Sequence, residues 1–99
     1  MIRHIVSWRL AAEDEAGKNA QAAEITAALE TLPALIPEIR SFTIGRNVVA
    51  DERNFDLVLI ADYASAADLE AYVVHPEHQK VAAIVTARVS ARACVDIEA

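Results

Sequence analysis

The segment FDLVLIADY, residues 55–63, restricts the fold of this chain more than any other stretch. Its alternation predicts a β-strand, and four apolar residues form one face: Phe55, Leu57, Leu59 and Ala61. The opposite face is also apolar, because it carries Val58 and Ile60. An antiparallel sheet that is apolar on both faces would leave a wet hydrophobic patch in a monomer, so the pattern predicts a sheet-to-sheet homodimer. The alternative is that Val58 and Ile60 are two exposed β-branched residues, which is common in monomers.

The other segments predict the order β-α-β-β-α-α-β. Besides residues 55–63, the predicted strands are IRHIVSWRL (2–10), IRSFTIGRNV (39–48) and SARACVDIE (90–98). The predicted helices run from the acidic cluster 13–15 to about Thr31 or Leu32, from a capping box at Ser65 to about Val74, and over PEHQKVAAIVTAR (76–88). With right-handed crossovers, this order predicts an α+β, ferredoxin-like fold. We expect one domain over residues 1–99, with a four-stranded antiparallel sheet and all helices on one face.

Charge and cysteine content exclude several functional classes. The net charge is −6, from 15 acidic and 9 basic residues, so the chain lacks the basic footprint of a nucleic-acid binder and is not attracted to anionic membranes. No apolar run approaches the roughly 20 residues that cross a bilayer, and the N-terminus lacks the pattern of a signal peptide. Cys94 is the single cysteine, which favours a reducing, cytoplasmic setting. Its neighbours Ala93 and Val95 predict a buried, inert thiol.

The segment YVVHPEHQKV, residues 72–81, holds a tyrosine and two of the three histidines. Pro76 disfavours helical geometry at His75, so two helices should meet there. His78 precedes Val81 and other core-spaced residues, which places it toward the sheet, within reach of Tyr72. His4 is the third candidate, because it shares a strand face with Val6 and Trp8.

Three interpretations of these residues remain open at this point. In the first they are structural, with a histidine capping a helix end and Tyr72 packed in the core. In the second they bind a metal, but His75 and His78 lie on either side of a helix break and no third ligand is evident. In the third, a neutral histidine accepts a proton from a carbon beside a carbonyl group while the tyrosine hydroxyl polarises the carbonyl oxygen.

The chain resembles the stress-responsive A/B barrel domain family over essentially its whole length. The resemblance lies in IRHIVSWRL, LPALIPEI, FDLVLIADY and YVVHPEHQKV, in this order and at these separations. It implies a dimeric α+β barrel built from two ferredoxin-like subunits. Some plant members of the family cyclise linear polyketides by an aldol-type step without a cofactor. By analogy, His78 is the base, Tyr72 orients or polarises the carbonyl, and His4 lines the pocket. Trp8 and His75 are two further candidate ligand contacts in this chain.

Two functions from different classes follow as expectations. The preferred one is a small homodimer whose cavity binds a small, partly apolar or aromatic molecule, without a metal or cofactor. The alternative is a cofactor-independent cyclase or lyase acting on a polyketide-like or β-dicarbonyl substrate through His78 and Tyr72. A third, weaker possibility comes from other dimeric α+β barrels, some of which are cofactor-free monooxygenases or haem enzymes.

Overall fold

A computed structural model describes the whole chain, Met1–Ala99. The four strands are β1 (Ile2–Leu10), β2 (Ile39–Arg46), β3 (Leu57–Tyr63) and β4 (Val89–Glu98). The four helices are α1 (Glu15–Glu30), α2 (Leu32–Leu35), α3 (Ala66–Val74) and α4 (Pro76–Thr86). None of these helices combines the length and the apolar character that crossing a membrane requires.

The strands form one sheet in the order β2-β3-β1-β4, and each neighbouring pair is antiparallel. β1 and β2 therefore run parallel on either side of β3, while β3 and β4 run parallel on either side of β1. These two interleaved β-α-β units are the ferredoxin-like topology predicted from the order of the segments. The predicted fold is confirmed.

The core lies between the helices and one face of the sheet. On β1 this face carries four buried residues: His4, Val6, Trp8 and Leu10. On α1, Ala22, Ile25 and Leu29 recur at helical spacing and are buried against the sheet. Strand β1 is central and its alternate side chains lie under the helices, so His4 and Trp8 lie inside the fold.

The opposite face of the sheet bears no helix, and we call it the open face. Cross-strand register places Ile5 beside Ile60 and Val95 on this face. Three of its large apolar side chains are exposed: Ile60 at 36%, Val95 at 53% and Ile97 at 43%. Arg3 and Asp62 are neighbours on the same face and form a two-pronged ion pair, with N–O distances of 2.9 and 3.0 Å. The open face is thus apolar around Ile5, Ile60 and Val95, with the Arg3–Asp62 pair toward one end of β1 and Arg9 toward the other.

Several predicted details differ from the structure. Helix α1 ends at Glu30, close to the predicted end, but an additional helix α2 follows it with Pro33 in its first turn. Strand β3 begins at Leu57, whereas Phe55 lies outside the strand and its ring packs 4.6 Å from the guanidinium carbon of Arg9. Strand β2 ends at Arg46 and helix α4 at Thr86, each two residues earlier than predicted.

The prediction of a buried Cys94 is wrong, because the structure places this residue at the surface. Cys94 pairs with Val6 and so lies on the helix-facing side of the sheet. However, β4 is an edge strand, and most of its side chains on both faces are exposed. The alternation of the sequence identifies the face on which a residue lies but does not show how far the helices extend across it.

Candidate functional site

The site begins at the break between α3 and α4. His75 has φ −62° and ψ 134°, the extended geometry that a following proline favours. Its backbone N–H donates to the Tyr72 carbonyl at 3.1 Å, and its Nδ1 accepts the Glu77 backbone N–H at 3.1 Å. His75 thus closes one helix and caps the next. This role fits the structural interpretation of His75.

The break brings Tyr72, at the end of α3, against His78, in the first turn of α4. Their ring centroids are 4.3 Å apart, with an angle of 45° between the planes. The Nδ1 atom of His78 lies 2.9 Å from the Val73 carbonyl oxygen. Since a carbonyl oxygen only accepts, Nδ1 carries the proton in neutral His78, and Nε2 keeps its lone pair. The nitrogen available to accept a further proton is therefore Nε2.

The surroundings keep both groups neutral near pH 7. Burial lowers the pKa of His78 below its ordinary value of 6.5, and the positive charge of Arg92 acts in the same direction. The hydrogen bond to Val73 opposes this shift in the pKa of His78 without reversing it. Burial raises the pKa of the Tyr72 hydroxyl to about 12. The pair is thus an unprotonated imidazole beside a protonated phenol.

Both side chains line a cavity of about 110 Å³ between the helices and the helix-facing side of the sheet. Most of its wall is apolar and includes Val6, Trp8, Leu29, Leu59, Val81, Ala82 and Val85. The polar lining side chains besides Tyr72 and His78 are His4, Thr86 and Arg92. An apolar wall with a few convergent polar groups is the usual character of a small-molecule site.

The structure brings four of the five predicted site residues together and leaves one outside. His4, Trp8, Tyr72 and His78 line the cavity. His75 is absent from its wall, because its Nδ1 faces the backbone of α4. The sequence reasoning missed Arg92, which lies across the strand pair from Trp8 on the helix-facing side of β4. The available signal was the alternation of Arg92, Cys94 and Asp96, which places all three side chains on one face of the predicted last strand, the face of the thiol that was expected to be buried.

His4 forms a second polar group with residues of β4. Its Nδ1 lies 2.5 Å from an Asp96 carboxylate oxygen and 3.6 Å from the Cys94 sulfur. The nitrogen, sulfur and oxygen atoms all lie within 4.8 Å of one another, so this group could hold a metal. Nevertheless, His4 Nδ1 already donates to Asp96, and partial burial and the Asp96 carboxylate both raise the pKa of the Cys94 thiol. The arrangement fits a histidine oriented by a carboxylate better than a set of free ligands.

Comparison with known proteins agrees with the sequence and the fold. The sequence profile of the stress responsive A/B barrel domain matches residues 2–99. A dimeric protein of unknown function with a ferredoxin-like fold from Bacteroides fragilis NCTC 9343 is 31% identical, with a TM-score of 0.88 over 98% of this chain and 94% of that one. A dimeric ferredoxin-like protein of unknown function from Thermobifida fusca YX is 29% identical, with a TM-score of 0.82 over 97% and 88%.

A further solved structure shares the fold at lower identity. The hydroxynitrile lyase from Passiflora edulis is 18% identical, with a TM-score of 0.82 over 97% of this chain and 90% of the lyase. No curated protein sequence matches this chain. At this identity the likeness shows the fold alone.

Proposed function

This chain belongs to the stress responsive A/B barrel domain family, and from that premise we propose that it is a homodimer whose subunits each bind a small, partly apolar molecule in the cavity beside Tyr72 and His78. The observation that carries the proposal is that both side chains, which lie on different helices, line one apolar cavity. The volume of about 110 Å³ suits a compact ligand rather than an extended chain.

The open face supports the dimer. Ile60, Val95 and Ile97 are exposed on it, and a second sheet would remove them from water. The two relatives from Bacteroides fragilis and Thermobifida fusca are each described as dimeric. Pairing through this face leaves the cavity free, because the cavity lies on the other side of the sheet.

A cytoplasmic setting is part of the same proposal. Cys94 is exposed and is the single cysteine, so it has no internal partner for a disulfide. Such a thiol is best kept reduced in the cytoplasm.

Filling the cavity tests ligand binding directly. Ala82 lines the cavity, whereas the next residue, Ala83, is exposed on the same helix. With acetylacetone as the probe, we expect saturable chemical-shift changes at cavity residues in the wild type and in Ala83→Trp. The Ala82→Trp variant should lose them. The proposal fails if the wild type shows no saturable change, or if Ala82→Trp binds as well as Ala83→Trp.

The second candidate function is a cofactor-independent lyase or cyclase, and the Tyr72–His78 contact favours it. In this reaction His78 Nε2 takes a proton from a carbon beside a carbonyl group, and the electrons of the broken C–H bond form an enolate. The Tyr72 hydroxyl donates a hydrogen bond to the enolate oxygen. The enolate carbon then attacks a second carbonyl carbon, and the resulting alkoxide takes the proton back from His78 Nε2. In the reverse direction His78 Nε2 removes the hydroxyl proton, the carbon–carbon bond breaks, and the enolate released takes up that proton. This candidate rests on the residues of this chain, since the lyase from Passiflora edulis shares only the fold.

Deuterium exchange separates binding from catalysis. Butanone exchanges slowly in water, so faster incorporation of deuterium beside its carbonyl, measured by mass spectrometry, would reveal a working base. We expect His78→Gln to lower the protein-dependent rate about 10²-fold or more, and Tyr72→Phe to lower it less. Exchange in the wild type no faster than in buffer would eliminate this second candidate and leave the binding function untouched.

A further inference from the structure

Arg92 differs from every other residue on the cavity wall. It is the one permanently charged side chain there, since the remainder are apolar residues, a threonine, a tyrosine and two histidines. The six ion pairs of the structure do not include it. No acidic residue lines the cavity, and the nearby carboxylate of Asp96 is hydrogen-bonded by His4. A guanidinium thus stands at an apolar cavity with no protein carboxylate bound to it.

The sheet fixes the backbone of Arg92, whose side chain is exposed on the edge strand β4 at the rim of the cavity. Its backbone pairs with Trp8 in the β1–β4 ladder, so the two side chains are cross-strand neighbours on the helix-facing side. Arg92, Tyr72 and His78 line the same cavity, so a ligand bound there can contact all three side chains. The positive charge of Arg92 also adds to the lowering of the His78 pKa and opposes the burial that raises the pKa of Tyr72.

We propose that the cavity is selective for small carboxylates, in particular 3-oxo acids, whose carboxylate is held by Arg92 and whose carbonyl oxygen lies toward Tyr72. The guanidinium contacts the Cys94 thiol but has no carboxylate partner in the protein, and its planar shape matches the planar, bidentate geometry of a carboxylate. The neutral His78 adds no competing positive charge, so the carboxylate has one cationic partner. This inference rests on the proposed function, because it names the ligand class of the same cavity.

The apolar wall indicates that the ligand carries an apolar segment in addition to its negative charge. Inorganic anions gain nothing from contact with Val6, Trp8 or Leu59, whereas a short carbon chain is removed from water there. The net charge of −6 also repels anions at long range. Selective binding of a ligand therefore depends on both a short-range contact of its carboxylate with Arg92 and the burial of its apolar segment.

A matched pair of ligands tests this selectivity. Acetoacetate and acetoacetamide have nearly the same shape and differ in charge, and binding to the full-length protein can be followed by isothermal titration calorimetry. We expect acetoacetate to bind the wild type about ten-fold more tightly or better, because a charge-assisted hydrogen bond contributes more than a neutral one. Arg92→Gln should remove this preference while leaving acetoacetamide affinity within about two-fold, and Arg92→Lys should retain part of it.

Arg40→Gln is the control variant. Arg40 is exposed on β2, makes no ion pair and does not line the cavity, so this variant changes the net charge equally. Equal affinity for the two ligands in the wild type, or a preference that survives in Arg92→Gln, overturns the inference and leaves the proposed function standing. A preference lost equally in Arg40→Gln also overturns it, because long-range charge would then be the cause. If neither ligand binds, the proposed function fails and the inference fails with it.

Discussion

At the scale of single residues, His75 and His78 show how backbone partners assign different roles to the same side chain. Nδ1 of His75 accepts the Glu77 N–H, so the proton of neutral His75 is on Nε2. Nδ1 of His78 donates to the Val73 carbonyl, so the proton of neutral His78 is on Nδ1. Three positions apart, the two imidazoles are opposite tautomers. The Nδ1 lone pair of His75 accepts the hydrogen bond that caps α4, whereas the Nε2 lone pair of His78 makes no hydrogen bond within the protein.

Tyr63 gives a prediction at the same scale. Its side chain is fully buried, and its hydroxyl lies near that of Tyr72 but forms no hydrogen bond of good geometry; burial, and then Tyr72, raise the pKa of Tyr63. Because an unsatisfied buried hydroxyl costs about 1–3 kcal/mol, we expect Tyr63→Phe to raise the free energy of unfolding by about 1 kcal/mol. Urea denaturation measures this change, with an unchanged dependence on denaturant as the control for two-state unfolding. A fall in the unfolding free energy would mean that the hydroxyl is satisfied in solution.

At the scale of elements, the start of α1 depends on a close contact that excludes a β-carbon. Asp14 caps the helix by accepting the Gly17 backbone N–H at 3.0 Å. A β-carbon on Gly17 would lie 2.5 Å from the Asp14 Oδ1 atom and 2.8 Å from the Ala12 β-carbon. Glycine is thus required at position 17 because a side chain would clash with Asp14 and Ala12, and not because the backbone has a positive φ.

Replacement of Gly17 by alanine should therefore destabilise the protein. Alanine is ordinarily favoured over glycine inside a helix by about 1 kcal/mol. Here displacement of the Asp14 cap, which costs about 0.5–2 kcal/mol, and the contact with Ala12 outweigh that gain. We expect Gly17→Ala to lower the midpoint of thermal unfolding, followed by circular dichroism. Asn19→Ala, at an exposed position of the same helix, should leave the midpoint unchanged or raise it. Equal increases for both variants would contradict the structural account of the cap.

The elements were largely predictable from the sequence because strand alternation and helical spacing are local signals. The additional helix α2 was missed, since Pro33 and Pro37 are as typical of a loop as of a one-turn helix. Phe55 was assigned to β3, although its contact with Arg9 is a tertiary interaction that no local pattern reveals.

In the site, the face of β1 identified His4 and Trp8, and the helix break identified Tyr72 and His78. Arg92 was missed because its role depends on the extent to which the helices cover β4.

At the scale of the whole molecule, the open face predicts the oligomeric state. Val95 on β4 and Val74 on α3 have similar exposed fractions, 53% and 56%. Because only Val95 lies on the open face, Val95→Glu should bury a charge in the dimer, whereas Val74→Glu should not. We expect sedimentation to give about twice the chain mass of 10.7 kDa for the wild type and Val74→Glu, and the chain mass itself for Val95→Glu. A monomeric wild type, or a dimer that tolerates Val95→Glu, would rule out pairing through this face.

The central claim is that the cavity beside Tyr72 and His78 is a ligand site with a neutral imidazole, and histidine side-chain NMR tests it most directly. A pH titration with long-range ¹H–¹⁵N spectra reports both the tautomer and the pKa of each histidine, without and with acetylacetone. The account predicts that His78 carries its proton on Nδ1, takes up a second proton only below pH 6.5, and shifts on adding the ligand while His75 does not. A His78 that titrates at or above pH 6.5 and does not respond to ligand would contradict it, and would leave the Tyr72–His78 contact as a helix junction.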